Sequence, residues 1–138
     1  MNSIINNIKK EFYQATIVNR IIYLNILVFL IFSVIDIFSF LCQININPII
    51  EKLSLPANQG ILISQPWTLL SYMFLHTNLL HLAFNMLLLH IGGKIFSQHL
   101  NSKQLLSTYI LGGICGALFV IILYNYVPFF EVSKDKVH

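Results

Sequence analysis

The sequence predicts an all-α membrane protein with three spanning helices, and two observations carry that reading. The first is composition. Of 138 residues, 57% are hydrophobic and only 9% are charged, with a formal net charge of +3. Soluble domains carry about 25% charged residues, so a chain this poor in charge cannot cover a water-facing surface. The same numbers exclude a disordered chain and a nucleic-acid binder working through a basic surface. The second observation is three apolar stretches, each close to the ~20 residues that a helix needs to cross a bilayer.

The elements follow in order. Ile4, Ile5, Ile8 and Phe12 recur at helical spacing with polar residues between them. This pattern predicts an amphipathic helix on the membrane face, within a cytoplasmic segment covering residues 1–19. A cleaved signal peptide is not expected, because the next apolar stretch is too long and no small-residue cleavage site follows it. The first span is predicted from about Ile21 to Leu41. Gln43–Ser64 then carries Pro48, Pro56 and Gly60, which break any regular period and predict a loop. A loop of that length usually has a function or is mobile. Trp67–Leu75 is read as a separate helix at the membrane surface, with Pro66 in its first turn, where no backbone N–H is needed. The second span runs from about Leu79 to Phe96 and the third from about Leu105 to Tyr124.

Basic residues set the orientation. Lys9, Lys10, Arg20, Lys94 and Lys103 fall on one side of the membrane. Lys52 alone falls in the long first loop. The N-terminus is therefore expected in the cytoplasm, with the first loop and the tail outside. Lys134 and Lys136 in the tail are offset by Glu131 and Asp135. The short, leaderless form suits a bacterial inner membrane.

Polar side chains inside a bilayer are costly, and each needs a reason. Asp36, near the outer end of the first span, is read as reaching the interface or accepting a bond from a neighbouring helix. His81 and Asn85 are four residues apart, so they share one face of the second helix, one turn apart. Both carry N–H donors. Two convergent donors in a shallow, partly dry site can stabilise a developing oxyanion. They equally suit hydrogen bonds to neighbouring helices, and spacing alone leaves both readings open. His76, His90 and His99 do not share that face. No helical metal motif is present, and no metal or cofactor is expected. Cys42 and Cys115 are read as buried small hydrophobes. Gly112 with Gly116, and Gly113 with Ala117, put small residues at the spacing that lets helix backbones approach closely. With Gly92 and Gly93 on the second span, they predict tight packing within a bundle or against a partner chain, the latter through Gly112 and Gly116.

The run from Gln65 through Pro66-Trp67 to His76, then His81 with Asn85, then Gly92-Gly93, resembles the rhomboid family of intramembrane serine proteases. Tyr109 to Gly116 looks like that family's glycine-rich third helix. The resemblance implies a partial rhomboid-like transmembrane domain over residues 20–138, with the first loop lying in the membrane beside the site. It implies cleavage of substrate transmembrane segments by a Ser–His dyad, without metal or cofactor. In it, His81 and Asn85 take the part of oxyanion donors. Two parts of the pattern are missing. The family's nucleophile lies in a G-x-S-G at the start of a fourth helix, and its general base is a histidine on the sixth. Neither is found here. Gly113-Ile114-Cys115-Gly116 looks similar, but it falls mid-span in the third helix, and a thiol in apolar surroundings is a poor nucleophile. His138, in a charged tail, is not a suitable base. Gln98 stands near a position where the family often has an acidic residue. The expectation is a chain truncated before the nucleophile and base, and inactive alone. The alternative is a non-catalytic membrane protein that binds transmembrane segments or a partner membrane protein.

Overall fold

The computed structural model describes residues 15–126. The amphipathic helix expected around Ile4–Phe12, and the tail beyond residue 126, lie outside them. Among the described residues six α-helices and one 3-10 turn follow in order: α1 (Ile17–Cys42), α2 (Asn47–Leu53), α3 (Gln59–Ser64), α4 (Thr68–Ser71), the 3-10 turn (Tyr72–Phe74), α5 (Leu79–Phe96) and α6 (Ser102–Tyr126). There is no strand among the described residues. Three helices, α1, α5 and α6, are long and apolar enough to cross a membrane, at 26, 18 and 25 residues. The second matches its expected bounds. The first and third extend beyond theirs, because an apolar pattern marks only the hydrocarbon-embedded part and the helix continues through Ile17–Arg20 and Ser102–Gln104.

The described residues fall into two compact units, 15–31 with 76–108, and 32–75 with 109–126. In the first, Val18, Ile21 and Asn25 form the buried stripe of α1. Leu82 and Gly93 are buried on α5, and Leu105 on α6. Gly93 lies against Val18, where an added Cβ would come within 2.6 Å of a valine methyl carbon. Asn25 is fully buried, and its Nδ2 donates to the Ile21 carbonyl at 2.8 Å. The turn into α6 is a reciprocal capping box. The Gln104 N–H donates to Asn101 Oδ1, and the Asn101 N–H to Gln104 Oε1, both at 3.0 Å.

In the second unit, α1 ends in a Schellman motif. The Gln43 N–H bonds to the Phe40 carbonyl and the Ile44 N–H to the Ser39 carbonyl. Gln43 holds φ at +55°, a left-handed conformation that glycine usually supplies. The segment expected to be an irregular loop contains α2 and α3. Pro48 sits at the start of α2, where its missing N–H costs nothing. The side chain of Asn58 caps α3 by accepting from Gly60 and Ile61. The helix expected over Trp67–Leu75 is divided into α4 and the 3-10 turn, and Pro66 lies one residue before the Trp67 cap rather than in the first turn.

Hydrogen bonds staple these short pieces together. Trp67 Nε1 donates to the Lys52 carbonyl at 2.9 Å, and Ser71 Oγ to the Leu53 carbonyl at 2.6 Å. The Tyr72 hydroxyl donates to the Gly113 carbonyl at 2.5 Å, and Asn125 Nδ2 to the Ala57 carbonyl at 3.0 Å. Met73 covers Gly113, and Ala117 is fully buried on the same face of α6. Gly112 faces open space. The close approach along α6 therefore runs through Gly113 and Ala117, and what meets it is the Tyr72–Met73 turn. Cys42 and Cys115 are both exposed, against the expectation of burial. In a spanning helix an apolar side chain need not be covered by protein, since the acyl layer is as apolar as a core.

Candidate functional site

The site is built on the first turns of α5. Asn78 is the N-cap, with extended backbone, and its Oδ1 accepts the His81 N–H at 2.8 Å. That bond satisfies one of the N–H groups left open at a helix start. It also fixes where α5 begins, and so where His81 stands. His81 is the third residue of the helix and Asn85 lies one turn further in, on the same face. His81 is exposed and Asn85 half-buried. The amino-terminal end of α5 carries the positive end of the helix dipole, which favours negative charge there.

His76 was not expected to join this group, yet it does. Its ring centroid lies 5.3 Å from that of His81, with the planes inclined by 58°. Helical periodicity missed this, because His76 precedes α5. The turn at Thr77 and Asn78 brings it back over the first helical turn. Asn78 was also missed, although an asparagine just before an apolar periodic run is a helix-start signal. His90 and His99 are exposed further along the chain and do not join the pair.

A model of the rhomboid domain matches residues 64–133. The chain belongs to the rhomboid family. The matched region takes in α4, the 3-10 turn, α5 and α6, and so all of His76, Asn78, His81 and Asn85. No curated protein and no solved structure matches this rhomboid. Three apolar helices and the rhomboid domain make it a multi-pass integral membrane protein.

Proposed function

We propose that this rhomboid chain supplies the oxyanion-binding side of an intramembrane serine peptidase site, with His81 and Asn85 as the donors. The observation that supports it most is their placement on the capped first two turns of α5, inside the rhomboid-matched region. A ring N–H and an amide N–H one turn apart can converge on one oxygen, and the helix dipole adds to their pull. The reaction is hydrolysis of a peptide bond in a substrate transmembrane segment. It needs a nucleophile, and the 138 residues contain no G-x-S-G. Stabilising an oxyanion does nothing until a nucleophile has created one. These residues alone therefore do not hydrolyse peptide bonds. Activity requires a serine and a base from outside them.

The purified polypeptide in proteoliposomes is expected to leave a fluorogenic transmembrane substrate intact. Added rhomboid segments carrying a G-x-S-G serine and a histidine are expected to restore cleavage. Replacing His81 with Ala in that reconstituted pair should then lower the rate by roughly 10²–10³, the usual loss for one oxyanion donor. Cleavage by the chain alone, lost on His81→Ala, would overturn the division of labour. A second reading, a non-catalytic binder of membrane segments, is supported by Gly112, where an added Cβ would meet nothing within 4 Å. It predicts that Gly112→Leu abolishes capture of a partner segment while His81→Leu leaves capture intact.

The proposed orientation places the N-terminus in the cytoplasm and the first loop outside, following the basic residues. The proposed membrane is a bacterial inner membrane.

A further inference from the structure

We propose that His76 and His81 together form a binding site for a borderline-soft divalent cation of the Zn²⁺ or Cu²⁺ class. An imidazole nitrogen binds zinc at about 2.0–2.1 Å, which puts each ring centre roughly 3.2 Å from the ion. At a tetrahedral angle, two such ring centres lie about 5 Å apart. The His76 and His81 centroids are 5.3 Å apart, and the 58° inclination rules out a parallel stack. The pair is also held on short, fixed backbone. Asn78 binds the His81 N–H, so the turn joining the two rings is anchored at the helix start.

Ligand chemistry selects the ion. Imidazole suits zinc, copper and nickel, whereas magnesium and calcium prefer oxygen. No third His, Cys, Asp or Glu joins the pair among the described residues. The two imidazoles are neutral ligands and by themselves leave the ion its positive charge. His81 is exposed and His76 half-buried, so an ion can reach them. One consequence rests on the function proposed above: an ion held by the His81 ring competes with an oxyanion for that ring. The site itself does not depend on that reading.

The test uses the whole chain in detergent micelles. Stoichiometric Cu²⁺ is added and its electron paramagnetic resonance recorded, and Zn²⁺ affinity is measured by calorimetry. The expected result is one Cu²⁺ coupled to two imidazoles. His76→Ala and His81→Ala should each weaken Zn²⁺ binding at least tenfold, while His90→Ala, His99→Ala and His138→Ala leave it unchanged. A spectrum showing fewer than two imidazoles on the unaltered chain overturns the proposal, as does loss of binding on removing one of the other three histidines alone. The spectrum of the unaltered chain decides the matter even where a variant fails to fold.

Discussion

At the scale of single residues, Gln43 and Tyr72 carry the sharpest consequences. Gln43 terminates α1 with φ at +55°. A side chain in that region costs about 1–2 kcal/mol, which glycine avoids at some expense in unfolded-state entropy. Gln43→Gly is expected to stabilise the chain by up to ~1 kcal/mol, read as a higher midpoint of unfolding in detergent. Tyr72 is expected to confer alkali sensitivity. Burial pushes its hydroxyl above the usual tyrosine range and Tyr109 adds to the rise, while a hydrogen bond with the Ala117 backbone acts the other way. The folded state thus holds this proton more tightly than the unfolded state. Its contribution is complete below the unfolded value of about 10 and is lost as pH rises through the folded value. Tyr72→Phe should flatten the fall in stability above about pH 10, at a cost near neutral pH of roughly 0.5–1.5 kcal/mol from the lost bond to Gly113. An unchanged alkaline slope in the variant would count against this. His81 and Asn85 were legible from four-residue spacing, whereas His76 was not, because its approach depends on a turn. Gln43 was illegible for a related reason. Nothing in a glutamine announces a left-handed backbone; the motif is visible only in its two hydrogen bonds.

At the scale of elements, the long apolar helices were read well and the short ones poorly. α5 could be placed from its apolar run alone, while α2 and α3 were hidden behind prolines and a glycine taken as breaks. Pro48 is a helix starter in its actual position, and a six-residue helix is too short to show a period. These pieces are held by side-chain bonds to carbonyls, such as Trp67 to Lys52 and Ser71 to Leu53, which no local pattern reveals. The glycines were flagged for close packing without separation into covered and open ones. Gly93 and Gly92 make the distinction measurable. A Cβ at Gly93 would meet the branched, stiff Val18 at 2.6 Å and 2.7 Å, and at Gly92 it would meet nothing. Gly93→Ala should therefore destabilise by about 1–3 kcal/mol through overpacking. Gly92→Ala should be neutral or stabilising by up to ~1 kcal/mol through helix propensity. Equal effects of the two on thermal stability would contradict the packing described.

At the scale of the whole molecule, class and membrane residence were plain from charge content and three apolar runs. The family was readable from Pro66-Trp67, His81, Asn85 and Gly92 in order. The orientation argued from Lys9, Lys10, Arg20, Lys94 and Lys103 makes a direct prediction. In intact cells, a membrane-impermeant maleimide should label Ser54→Cys in the first loop and spare Ser102→Cys at the start of α6, both placed in a chain whose Cys42 and Cys115 are changed to Ala. The reverse pattern would invert the topology. The five residues 97–101 between α5 and α6, closed by the Asn101–Gln104 box, also bear on how the protein is made. α5 is the shortest of the three spans and carries His81, Asn85 and His90, so entering lipid by itself it would expose polar groups with nothing to offset them. A connection this short delivers the strongly apolar α6 to the insertion machinery immediately behind it. The two are expected to enter the bilayer in close succession, so that insertion of α5 depends on the helix that follows it.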